Sequence, residues 1–311
     1  MSVTTMSSFR ALVKREYWEH QRAIFKTPLV IALFFAGLMI LGALTGDHLI
    51  SINGEREFSI VNMLPKAIEG FEALTDDEQQ KAIQISLYGT RMLFGFVMLF
   101  VCFYYALASL YDERKDKSIL FWKSLPISDT ATVLSKFVGV CLLTPTLYFI
   151  VTAGFQLFEL LFATVGAWFG GSFGVTIWTS SNLFGVLFNS FFSMIAACLW
   201  LAPLWAWSIF ASSWAKKTAF LWMALPIFLI TIAEGWIFHS REFISMVFMR
   251  IAGGFMILNS NLNQLVGNKM FKENSIEWYN IFGLGEFWIG LIVSAIFLAG
   301  AIYTRRYRDE A

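Results

Sequence analysis

The chain has 311 residues, 57% of them hydrophobic and 14% charged, with a mean hydropathy of +0.63. That much apolar surface exceeds what a water-soluble core conceals, so a soluble globular domain is excluded and lipid is the expected solvent. A net charge of +1 argues against a polyanion, nucleic acid included, as the main partner.

Residues 6–27 come first. Phe9, Leu12, Val13, Tyr17 and Ile24 fall near one face of a helix, while Lys14, Arg15, Arg22 and Lys26 point elsewhere. This predicts an amphipathic helix in the plane of the inner headgroups, the basic residues toward anionic lipid; the alternative is a cytoplasmic helix packed on a neighbour. The first apolar run, 28–46, has no small-residue cleavage site before it and is expected to remain as a span rather than leave as a signal peptide. An acidic outer loop, 47–86, follows, and its Thr75-Asp76-Asp77-Glu78 has the pattern of a capping box, which predicts that the second membrane helix starts well outside the bilayer.

Further apolar runs cover 87–110, 137–162, 183–207, 218–238 and 281–303. Each is close to or above the roughly 20 helical residues that cover a hydrocarbon core. Membrane strands are excluded, because the alternation of a barrel is absent and an open sheet edge would leave backbone groups unpaired in lipid. The segment 243–258 is also apolar, but it is short, contains Arg250 and is interrupted by Gly253-Gly254, so it predicts a re-entrant or interfacial hairpin between spans five and six. The expected fold is therefore an all-α integral membrane protein, a single domain of six transmembrane helices. The 33 Phe and 12 Trp read as packing and interfacial anchors. Cys102, Cys141 and Cys198 lie inside apolar runs and read as small buried hydrophobes.

Fifteen of the 23 basic residues fall on one side of this plan: before the first span, between spans two and three, between four and five, and after the last. The positive-inside rule makes that side cytoplasmic and puts both termini there. The expected location is a bacterial cytoplasmic (inner) membrane.

The connection 111–130 is the most informative stretch. Charged residues Asp112 to Lys117 would ordinarily be a solvated helix end, but Ile119, Phe121, Trp122 and Leu125 add large apolar groups to a short loop, and Pro126 ends the turn before Ser128 or Asp129 caps the next helix. A short amphipathic helix rimmed by charge suits docking on a soluble protein. Glu113 near the helix end, the stretch 117–124, Leu125-Pro126-Ile127-Ser128 and the following Lys136 together resemble the loop between spans two and three of the ABC-2 type permease family, and the six-span layout with its N-terminal helix and outer hairpin resembles that family too. The resemblance implies two permease subunits, as a homo- or heterodimer, assembled with two cytoplasmic ATPase subunits, the coupling running through Glu113, Arg114, Lys117, Ile119, Phe121, Trp122, Leu125 and Pro126. It implies an exporter. No GxxxxGK(S/T) occurs in the chain, so ATP and Mg are expected on a separate ATPase and no cofactor on this chain.

Ionisable groups at membrane depth are functional candidates by default. Arg91, Glu159, Glu234 and Glu286, joined by Asn189, all fall toward the outer ends of their helices and predict an outer polar cluster, with Glu159 and Glu234 paired to Arg91 or facing an aqueous vestibule; for Arg91 and Glu286 the bland alternative is snorkelling. A membrane enzyme using Glu159 and Glu234 is a weaker alternative, because no HExxH or nucleophile–base constellation accompanies them and His20, His48 and His239 are scattered. A permease-like anchor that moves no solute, and passes ATPase strokes to an extracytoplasmic partner, is the other alternative.

Overall fold

The computed structural model describes residues 3–45, 70–71, 73–169, 174–266 and 276–307; the expected outer loop lies largely outside these, in 46–69 and 72. Among the described residues all regular structure is helical. Seven helices are long and apolar enough to cross a membrane, as an all-α membrane protein requires.

Helix α1 (Val3–Gln21) leaves helical geometry at His20, passes through a π turn at Arg22–Lys26 and continues as α2 (Thr27–Thr45). A second π turn, Gly139–Leu143, joins α6 (Asp129–Val138) to α7 (Thr144–Phe169), so the third span is longer than 137–162. Both widened turns precede the same dipeptide, Thr27-Pro28 and Thr144-Pro145. Proline has no N–H to return to the carbonyl four residues back, and in each case the threonine hydroxyl instead donates to the carbonyl five residues back, Arg22 at 3.1 Å and Gly139 at 2.9 Å.

Between these lie α3 (Asp76–Ala108), about 50 Å long at 1.5 Å per residue, α4 (Tyr111–Lys115) and α5 (Ser118–Ser124). The capping residues act as their types demand. Glu78 accepts from both the backbone N–H (3.0 Å) and the hydroxyl (2.9 Å) of Thr75, and Ser128 accepts from Ala131 N–H at the start of α6. A short α8 (Val175–Ser181) turns at Asn182 into α9 (Leu183–Trp200). The fourth apolar run, expected as one helix over 183–207, breaks at Leu201 and resumes as α10 (Ala202–Trp214), with Pro203 in its first turn.

Next come α11 (Ala219–Ile237), α12 (Glu242–Val266), a 3₁₀ turn (Asn280–Gly283) and α13 (Gly285–Tyr307). In place of the expected short hairpin over 243–258, α12 is one continuous 25-residue helix. The residues that argued against a span are used for packing. Arg250 donates to the carbonyls of Trp200 (2.8 Å) and Glu286 (3.0 Å), and Gly253 and Gly254 bring α12 against Trp200 and Leu201.

One core cluster includes Phe94, Met98, Tyr105, Tyr148, Trp205 and Ile257 and draws on α3, α7, α9, α10, α12 and α13. Helices α2 and α11 stand at its edge with most of their apolar side chains exposed. The N-terminal helix packs on α6 through the face that buries Leu12 and Glu16, the contact expected of a helix seated on a neighbour.

Candidate functional site

At the end of the bundle that carries most of the basic residues, four segments bring charged side chains to one buried cluster, and α3 adds a tyrosine hydroxyl. Glu113 of α4 is at its centre. It accepts from Arg15 (2.7 Å), Lys136 (2.9 Å) and Arg305 (2.6 Å), three cations from α1, α6 and α13. Glu16 of α1, fully buried, accepts from Lys136 (3.1 Å), Arg15 (2.8 Å) and the Tyr105 hydroxyl of α3 (2.8 Å). Arg305 also reaches Asp129 at the start of α6 (2.9 Å). Glu19 of α1 also pairs with Arg15 (3.3 Å), so four carboxylates surround the three cations and every cation in the cluster has at least one carboxylate partner. Such an arrangement adds little stability over a well-packed apolar one, but it fixes geometry and is costly to break from one side. The Gly139 turn lies directly against the Tyr105 hydroxyl, where a Cβ would collide.

The short helix α5 rests on this cluster. Ile119 is buried inside the chain, and Trp122 is half-buried with the Arg15 guanidinium on one ring face at 4.1 Å. Leu120 and Phe121 point outward, each 61% exposed. Arg114 donates to the carbonyls of Ser212 and Ala215 at the C-terminal end of α10, tying α4 to that helix. Lys117 adopts a left-handed conformation (φ 58°) that turns the chain between α4 and α5; it and Pro126 are exposed, and Leu125 is half-buried. Of the expected docking residues, then, Glu113, Arg114, Ile119 and Trp122 are engaged within the chain. Phe121, Lys117 and Pro126 are presented. Leu120 was not singled out from the sequence, because in a seven-residue helix periodicity cannot say which side is covered.

At the opposite end the five polar residues divide. Arg91 is fully buried, donates to Asn261 (3.0 Å) and Ser193 (3.5 Å), and stacks on Tyr88 at 4.6 Å. Asn189 accepts from Trp278 Nε1 (3.0 Å) and interacts with Tyr88, so it belongs to the same neighbourhood. Glu159 accepts from Thr90, one residue from Arg91, but forms no ion pair with it. Glu234 is elsewhere: it accepts from Ser240 and from the backbone N–H groups of Glu242 and Phe243, and so caps α12 across its own turn. Glu286 is exposed at the first turn of α13. The single expected cluster is therefore a neighbourhood of Arg91 and Asn189, with Glu159 flanking and Glu234 and Glu286 apart. No shared partner joins Glu159 to Glu234. Glu277, buried beside Ser260 and Gln264 and near enough to Arg91 to interact electrostatically, is an acid that sequence reading passed over as part of a loop.

No family model, curated protein or solved structure matches the chain. The ABC-2 resemblance rests on the residues quoted for it.

Proposed function

We propose that this chain is the transmembrane permease subunit of an ATP-driven ABC-2 type exporter, paired with a second permease copy in a bacterial inner membrane and coupled through 111–130 to a separate cytoplasmic ATPase. One observation carries the reading: Leu120 and Phe121 are held outward on a short helix at an otherwise charged end, braced from behind by Arg15, Trp122 and the Glu113 cluster. Two large apolar side chains kept exposed on a rigid support are the form of an interface anchor. The bracing also gives the stroke somewhere to go, because a push on α5 meets α1, α6 and α13 together through one salt-bridged unit.

Helix direction supports six crossings with both termini on the ATPase side. Ring and side-chain pairs Phe96–Phe255, Gly95–Leu258 and Arg91–Asn261 set α12 antiparallel to α3. Trp214–Trp222 and Trp207–Met223 set α11 antiparallel to α10. Since α3 and α10 both run toward the basic end, α11 and α12 both run away from it. Two consecutive helices with one direction, joined by residues 238–241, fit a single bent traverse, which favours six crossings over seven.

The test is purification of the tagged chain from its native membrane in mild detergent, with Mg-ATP hydrolysis measured in the eluate. Hydrolysis should co-elute with the unaltered chain and fall at least tenfold for Leu120→Ser/Phe121→Ser, each anchor supplying about 1–2 kcal/mol of interface. Equal hydrolysis from the two preparations, or none from the unaltered chain, rejects ATPase docking at α5.

A further inference from the structure

We infer that the Arg91 neighbourhood is a binding site for an amphiphile with an anionic head, a carboxylate or a phosphate ester on an apolar chain. This deepens the proposed transport function by naming the class of molecule carried, and it rests on that reading for its role in export.

A guanidinium at membrane depth requires a counter-charge, since leaving it unpaired in a low-dielectric interior costs several kcal/mol. Arg91 is wholly buried and has no carboxylate within ion-pair distance among the described residues. Among the described residues its Nε and Nη2 have no hydrogen-bond partner, and the buried hydroxyl of Ser190, one turn from Ser193 on α9, has none either. Asn261 and Ser193, which take its remaining nitrogen, are neutral. Two parallel N–H groups left open on a buried guanidinium match the bidentate geometry of a carboxylate or phosphate. The surroundings supply the apolar half. Trp278, hydrogen-bonded to Asn189 beside Tyr88, stacks on Phe192 at 4.8 Å and meets Phe188 at 6.0 Å, and Phe188 continues to Phe184, which is 82% exposed. An aromatic track therefore leads from the lipid-facing surface of α9 to the polar group that needs an anion. Glu277 fits as the competitor: it sits near enough to hold part of the field of Arg91 when the site is empty, but its carboxylate is engaged by Ser260 and Gln264 instead.

The probe is a stearate carrying a nitroxide on its chain, titrated into the purified chain in nanodiscs of zwitterionic phospholipid while tryptophan fluorescence is read; its methyl ester is the neutral control. The carboxylate should quench at a concentration at least tenfold below the ester. Arg91→Gln should abolish that preference, Arg91→Lys should keep part of it, Glu277→Gln should tighten carboxylate binding, and Trp278→Phe should remove most of the quenching amplitude. A second arm uses nanodiscs with nitroxide-labelled phosphatidylglycerol in place of the stearate. Arg91-dependent quenching in the first arm assigns the site to a mobile anionic amphiphile, and in the second to an anionic lipid headgroup. If carboxylate and ester quench alike, or if the preference survives Arg91→Gln in both arms, or if Glu277→Gln weakens binding, the inference is wrong. The unaltered chain and Glu277→Gln decide the matter even if Arg91→Gln fails to fold. No ATPase is present, so this assay can fail or succeed independently of docking at α5.

Discussion

Glu113 shows how a residue's role depends on what surrounds it. As a charge near a helix end it reads as a solvated rim group, yet in the fold it faces Arg15, Lys136 and Arg305 and is only 6% exposed. Glu113→Gln leaves those cations with one carboxylate fewer in a buried site, so it should destabilise the protein by about 3–5 kcal/mol, read as a lower unfolding midpoint in detergent. Adding Lys136→Met should recover part of the loss, because the two groups are directly paired; strictly additive losses would show that they are not. Glu16 was legible in principle. It lies in the same helical stripe as Leu12 and His20, and an acid inside an apolar stripe is a signal that a buried cation waits opposite. That signal names no partner, since Lys136 is 120 residues away in the chain.

At the scale of elements, local chemistry explains most of what was readable. The capping box at Thr75 and the Ser128 cap are where their residue types place them, because both depend on side chains within three residues of the backbone they satisfy. The two π turns had a local signature as well, the Thr-Pro dipeptides at 27–28 and 144–145, whose meaning lies in the missing N–H. Helix α12 is the opposite case. Arg250 and Gly253-Gly254 look like reasons to end a helix, but Arg250 finds carbonyl partners on two other elements and Gly253 admits Trp200. A Cβ at Gly253 would stand 2.6 Å from Trp200 Nε1, the atom that donates to the Arg250 carbonyl. Gly253→Ala should therefore cost about 1–3 kcal/mol through overpacking. Adding Trp200→Phe, which removes the colliding nitrogen, should restore part of the midpoint; no recovery would place the strain elsewhere.

For the whole molecule, the decisive quantity is the number of crossings. With six, cysteines introduced at Ser124 and Tyr307 share a side and are shielded from an impermeant thiol reagent added to intact cells, while one at Thr179 reacts; reaction at Tyr307 without Ser124 would mean seven crossings. The native Cys102, Cys141 and Cys198 are buried and give little background. Composition alone determined that the chain is helical and apolar enough for a membrane, because backbone groups in lipid must be satisfied within each helix and no partner element need be known. The runs of apolar residues likewise determined where most long helices fall. Tertiary structure decided the rest: which face of α5 is covered, that Glu234 caps its own turn while Arg91 has no carboxylate within ion-pair distance among the described residues, and that α11 and α12 share a direction. Each of these turns on contacts between segments far apart in the chain, and hydrophobic periodicity reports that a face is buried without reporting what buries it.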